Sequence, residues 1–259
     1  LYSRGAGCQL WSGLRGDLGT AGVAKPAAQL LTTRQLPMPL AVHAEQNFAS
    51  FRTGANVELI AHLKTLAQVS ADTGCWLWGD SGTGRSHLLA AICAAAQQYQ
   101  RSTLYLPLQE LPPQPQSLDS LEADVVCIDD VDRWLGQRPL ETALMALYQR
   151  QLARRGVLVA TASGSALGVE FSLPDLASRL RALPVFRLQP LTDTDLVAVL
   201  KAAAHQRGLQ LNRVTADFWI TRSRRSLPVL LAELDQLDRV ALAAQRRLTI
   251  PLLKDVLKL

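Results

Sequence analysis

The residues best suited to chemistry lie in a glycine-rich stretch. Cys75-Trp76-Leu77-Trp78 runs into Gly79-Asp80-Ser81-Gly82-Thr83-Gly84-Arg85-Ser86-His87, and an alanine-rich helix is expected over 86–100. Apolar strand, glycine loop and helix together make a phosphate cradle, because loop N–H groups can curl round an anion that the helix N-terminus also faces. The spacing of a Walker A loop is met at Gly79, Gly84 and Ser86, with Arg85 standing where Lys is usual. Arginine keeps the charge but lacks the compact ammonium that fits between two phosphates. The sequence therefore predicts nucleotide binding with slow turnover, through Gly79, Gly82, Thr83, Gly84, Arg85, Ser86 and His87.

A second stretch, Asp124-Val125-Val126-Cys127-Ile128-Asp129-Asp130, is an apolar strand ending in paired carboxylates. Acidic residues at a strand end are often plain caps, but about 45 residues beyond a phosphate loop they have the form of a Walker B. Asp129, with the Ser86 hydroxyl, is the expected holder of Mg2+ accompanying a nucleotide. Asp130 occupies the place where related enzymes use Glu to orient water.

These residues need a sheet to carry them. Further strands are expected at 103–108, 156–161 and 185–188, a helix at 141–155, and a surface loop over the proline cluster at 111–116. The alternation implies an α/β fold, a parallel sheet covered by helices with ligand at the strand carboxyl ends. Residues 190–259 read as a small all-helical lid. Thr192-Asp193-Thr194-Asp195 resembles a capping box opening a helix that Gly208 ends, and further helices are expected at 226–245 and 249–259.

The net charge of +5 invites a nucleic-acid reading, but it is local. Arg4, Arg15, Lys25 and Arg34 against Asp17 put +3 in residues 1–34, which show neither helical nor strand periodicity. This leader is read either as sequence upstream of a start near Val23 or Leu30, or as a disordered tail. The lid is basic, with Arg222, Arg224, Arg225, Arg246 and Arg247, whereas 35–189 is slightly acidic. A solvated helix face, a protein contact or a DNA-backbone contact would each account for the lid arginines. A hydrophobic content of 48% with 19% charged residues excludes a disordered chain, and every long apolar run is interrupted before it could span a bilayer. Cys8, Cys75, Cys93 and Cys127 form no metal-ligating spacing and fit a reducing, cytoplasmic setting.

Over 35–259 the chain resembles the Hda family of AAA+ proteins, regulators related to the bacterial replication initiator DnaA. The resemblance rests on QLPMPL at 35–40, NFASF at 47–51, GRSHLL at 84–89, VVCIDD at 125–130, LPDLASRL at 173–180, and LDQLDR with AQRRLTIPLLKDVLKL within 234–259. It implies an AAA+ P-loop domain at 47–189 and a lid at 190–259, holding ADP or another adenine nucleotide. Phe48 and Phe51 resemble the linker entering the nucleotide pocket. Thr161 resembles sensor 1, although Ser163 stands where the family has Asp. Arg179 resembles an arginine finger, acting on a neighbour's nucleotide; a surface pair with Asp175 is the plainer reading. Pro228 stands at the usual sensor 2 arginine, so Arg224 or Arg225 would have to reach the phosphates instead.

Gln35-Leu36-Pro37-Met38-Pro39-Leu40 also resembles the peptide by which replication proteins dock on the sliding clamp, with 35–46 as peptide and linker. Gln35 offers amide hydrogen bonds, while Leu36, Met38 and Leu40 are apolar anchors on a proline-stiffened strand. The resemblance implies a clamp-tethered regulator, associated with the replisome, that makes DnaA hydrolyse its ATP and so prevents re-initiation. An autonomous ATPase or helicase loader is the alternative, against which Arg85 and Pro228 speak. A sequence-specific DNA-binding initiator is not expected, since no helix-turn-helix follows the lid in this sequence. Self-association into a homodimer is one way to supply the interface that an arginine finger needs.

Overall fold

The computed structural model describes residues 46–69, 73–241 and 247–258, all within one unit spanning 37–259. The leader, the peptide at 35–40 and Arg246 lie outside the described residues.

Five parallel strands form the main sheet: β1 Thr73–Trp78, β2 Thr103–Pro107, β3 Val125–Asp129, β4 Val157–Ala162 and β5 Val185–Arg187. Their order is β2-β3-β4-β1-β5, so the chain leaves the middle of the sheet after β1, crosses to the far edge and works back. That reversal opens a crevice beyond the carboxyl end of β1, where ligands of open α/β sheets bind. The central strands are near-continuous apolar runs because helices cover both of their faces. Strand alternation sends Cys75, Leu77, Val125, Cys127, Val157 and Val159 to one side, where α1 Val57–Gln68 and α2 Arg85–Gln98 pack. Trp76, Val126, Ile128, Leu158 and Ala160 go to the other, against α3 Arg138–Ala153 and α4 Pro174–Arg181. Cys75, Cys93 and Cys127 are all buried free thiols, and burial pushes Cys75 up to about 12.

The expected strands and the helices after β1 and before β4 are present, with shifted ends. Helices α1, α4 and α6 Arg213–Arg222 have no counterpart among the helices expected from the sequence. Helix α1 carries Leu59, Ile60, Leu63, Leu66 and Ala67 at helical spacing on its buried side. Helix α6 has weak amphipathic patterning, and its start is fixed by Asn212, whose side chain accepts from Thr215 N. The proline cluster does not remain a loop throughout: Pro115–Leu118 winds into a 3-10 turn, and Leu118 is buried.

The C-terminal part has its own core, centred on Leu200, Trp219, Leu230, Leu234 and Leu237. Its helices are α5 Asp193–Gln206, α6, α7 Leu227–Ala241 and α8 Ile250–Leu257. Thr192 caps α5 as expected, accepting from Asp195 N at 3.2 Å, and Gly208 follows the helix at a φ of 70°. Alongside the helices, the two-residue strands β6 Gln210–Leu211 and β7 Arg247–Leu248 pair in parallel. No helix among the described residues is long and apolar enough to cross a membrane.

Candidate functional site

The glycine loop joins β1 to α2 as the sequence requires. Gly82 and Gly84 have φ values of +81° and +106°, left-handed conformations that side chains rarely adopt. Gly84 is the N-cap of α2 and no side chain caps it. The first-turn N–H groups of a helix have no intrahelical acceptor, so here they face the loop's own concavity. Space is tight around both glycines. A Cβ on Gly84 would come within 2.8 Å of the Phe51 ring, and one on Gly82 would meet Ser226 Oγ at 2.7 Å and Pro228 Cδ at 3.1 Å. The lid therefore rests directly on the loop through Ser226 and Pro228. A cavity of about 120 Å³ remains, lined by Asp80, Gly82, Thr83, Pro190, Leu191 and Arg225 among others. Arg225 is ion-paired with Asp193 Oδ2 at 3.3 Å and reaches this cavity, whereas Arg224 does not line it.

Strand register assembles the acidic corner. Pairing of Ile128 with Ala160 brings Asp129 beside Thr161 at the strand ends. Thr161 Oγ1 donates to Asp129 Oδ1 at 2.5 Å and accepts from Asp130 N at 3.1 Å. The other Asp129 oxygen accepts from Tyr105 OH at 2.7 Å, and Ser86 lies beside the same phenol. Burial, then the Asp129 charge, raises the Tyr105 pKa, keeping it a hydrogen donor. The Thr161 hydroxyl is thus engaged by the Asp129 carboxylate and the Asp130 backbone.

Arg85 Nη2 and Asp130 Oδ1 form an ion pair at 2.9 Å, with only 13% and 21% of their side chains exposed. Burial raises the Asp130 pKa, and the Arg85 charge opposes that rise. Asp130 holds a left-handed backbone at φ 54°, which aims its carboxyl across the crevice. Arg85 Nη1 is buried without a protein acceptor. Orphaned guanidinium nitrogen, uncapped helix N-terminus and glycine cradle are the fittings of an anion site, so the residues present fit a nucleotide phosphate. Asp129 and Ser86 offer oxygen ligands of the kind Mg2+ takes when phosphates complete its shell. Among the described residues no group of three or more His, Cys, Asp or Glu forms a self-sufficient metal site.

The linker residues separate. Phe51 packs on Gly84 and lies edge-on to His87 at 5.3 Å. His87 Nε2 sits 3.1 Å from Asn47 O and 3.3 Å from Ser50 Oγ, so this imidazole ties the linker to α2. Phe48 lies in an outer groove with Lys64, Ala95 and Tyr99, away from the phosphate loop, with Lys64 Nζ 5.7 Å from its ring centroid. Ser163 donates through both N–H and hydroxyl to Asp132 Oδ2, so a carboxylate does stand beside the strand end, supplied from a different position. Tyr105 and Asp132 were not singled out in the sequence; their partners come from distant strand ends, and no local spacing marks them.

Arg179 is on the second turn of α4, on the opposite face of the sheet from α2. Among the described residues it forms no ion pair, not even with Asp175, and its Nε is buried without an acceptor. Its guanidinium carbon lies 5.9 Å from the Tyr148 ring centroid.

Residues 193–257 match the family described as Hda, lid domain. The fold is similar to that of domain III of the replication initiation protein DnaA from Thermotoga maritima, with TM-score 0.70, 17% identity, and coverage of 83% of this chain and 98% of that one. A crystal structure of a DNA replication initiation factor aligns with TM-score 0.65 and 14% identity over 74% of this chain, which spans 63% of that protein's length. DnaA from Aquifex aeolicus bound to AMPPCP aligns with TM-score 0.62 and 14% identity, covering 78% and 66% of the two chains. Such identities speak to fold, and the lid match adds the family signal. The chain thus joins a match to the Hda lid family over residues 193–257 to a phosphate-loop module with the fold of DnaA domain III.

Proposed function

We propose that this chain is a clamp-tethered regulator of DNA replication that stimulates hydrolysis of the ATP bound to the initiator DnaA, and so blocks re-initiation. The observation that carries the reading is Arg179: a guanidinium on a short helix, with no carboxylate partner among the described residues, on a chain with an Hda-type lid. A guanidinium delivered across an interface stabilises charge developing on the transferred phosphoryl group and is worth roughly 10³–10⁵ in rate.

The chain's own pocket plays a different part. An adenine nucleotide, ADP by family resemblance, with Mg2+ beside Ser86 and Asp129, would supply the negative charge that the loop is built to hold. Gly79, Gly82, Thr83, Gly84 and Arg85 bind it, Phe51 backs the loop, and Ser226 and Pro228 close the lid over it. Arg85 holds Asp130 and so withholds it from orienting water, which speaks against the autonomous-ATPase reading. Gln35, Leu36, Met38 and Leu40 would dock on the DNA-loaded clamp, at the replisome in the cytoplasm.

The test follows ATP hydrolysis on DnaA with DNA-loaded clamp and this protein present. Wild type is expected to accelerate it and Arg179→Ala to fall to the unstimulated rate. Replacing Gln35 and Leu36 by Ala is expected to abolish clamp retention with the fold intact. A fully active Arg179→Ala protein refutes the finger, and unchanged retention refutes the tether.

A further inference from the structure

Glu141 is completely buried and takes no part in the nucleotide pocket. It stands in the first turn of α3, where its Oε1 accepts from Gly136 N at 2.7 Å and from Ser172 N at 2.8 Å. Oε2 accepts from Leu173 N at 2.6 Å, and Ser172 Oγ completes the knot by donating to Gly136 O at 2.7 Å. Leu173 is the N-cap residue of α4, a helix that no capping side chain starts. The entry to α4 is thus bonded to α3 through a buried carboxylate with three backbone donors, the strong, charge-assisted kind of hydrogen bond.

Two helical turns after Glu141, on the same side of α3, comes Tyr148. Its ring lies against the Arg179 guanidinium. One helix therefore fixes both the start of α4 and the side chain at its far end. The choice of an aromatic partner matters chemically. A carboxylate would attract the guanidinium by occupying its N–H groups, as Asp130 does to Arg85. A ring face attracts the cation without occupying its terminal N–H groups.

We infer that Glu141 and Tyr148 are positioning residues that present Arg179, preformed and with its terminal Nη donors free of protein acceptors among the described residues, to the ATP of a partner subunit. The inference rests on the reading of Arg179 as a finger acting in trans. Arginine carries several rotatable bonds, and holding it near its working geometry lowers the entropic cost of each encounter.

The experiment uses the full chain, DNA-loaded clamp and DnaA preloaded with ATP, and separates the maximal stimulated rate from the concentration giving half of it. Tyr148→Leu keeps an apolar side chain without the ring; its maximal rate should fall about tenfold at an unchanged half-saturating concentration. Tyr148→Phe restores the ring face and should return the rate to within about twofold of wild type. A Leu variant at the wild-type rate, or a Phe variant as impaired as Leu, overturns the inference. Glu141→Gln replaces one acceptor by a donor facing Leu173 N and should lower the same rate; a wild-type rate overturns the anchoring half. Should that variant not fold, the half-buried Tyr148 position still decides. Arg179→Ala run in parallel separates the two levels. If it too is fully active, the finger reading itself has failed; if it is inactive while Tyr148→Leu is not, only the positioning has.

Discussion

Arg85 and Arg179 sit on helices that cover opposite faces of one sheet, and each is held in a different way. Arg85 is mostly buried and ion-paired with Asp130 beneath a lid that touches the glycine loop. Arg179 rests on an aromatic ring with no ion pair among the described residues. Charge that is neutralised inside the fold serves binding and closure. Charge carried on a ring can still be donated elsewhere. On the proposed reading, the nucleotide pocket has a holding role and the α3–α4 face the chemical one.

Substitutions that strike one region and spare the other can break this division. The largest expected effect is on stability at the arginine face. Glu141→Ala leaves three backbone N–H groups without their buried acceptor and should cost about 3 kcal/mol or more in chemical denaturation. A change within about 0.5 kcal/mol would show that α4 is anchored by other means.

Next in size is a lesion of the pocket. Gly82→Ala requires a side chain at φ +81° and pushes a methyl against Ser226 and Pro228. It should cost about 1–2 kcal/mol in folding and speed nucleotide release by lifting the lid. Unaltered release, read by displacement of a fluorescent nucleotide, would mean that this lid contact does not govern the pocket.

The smallest effect is pH-dependent. Burial raises the folded-state pKa of Asp130 above its unfolded value. Its contribution to stability is therefore present below the unfolded pKa and lost as pH rises through the folded one. Measured by denaturation against Asp130→Asn, wild type should gain relative stability as pH is lowered from neutrality into the carboxylate range. A relative loss over that interval would mean that pairing with Arg85 outweighs burial.

How far the sequence carried these conclusions depended on how local each signal was. The glycine loop, the strand ending in Asp129 and the capped α5 are written within a few neighbouring residues, and all lie where periodicity and spacing put them. Helix α6 was missed because its apolar residues do not mark its buried side, with Val214 exposed and Thr215 buried, and its cap at Asn212 is the signal that could have revealed it. The pairs that define the site join residues far apart in the chain: Arg85 with Asp130, Tyr105 with Asp129, Glu141 with Leu173. Their meeting depends on strand register and on helices from both faces, which no local spacing encodes. Phe48 and Phe51 show the same limit, since three residues of chain suffice to send one ring to the loop and the other to an outer groove.

The most direct test of the division between the two arginines measures both functions on both variants. Nucleotide affinity of this chain and maximal stimulated hydrolysis on DnaA are determined for Arg85→Ala and Arg179→Ala. Arg85→Ala should weaken nucleotide binding about ten- to a hundredfold, as expected for loss of a charged hydrogen bond. Arg179→Ala should leave that affinity unchanged and lower the stimulated rate by about 10³ or more. Arg179→Ala with weakened nucleotide binding and a wild-type stimulated rate would contradict the account.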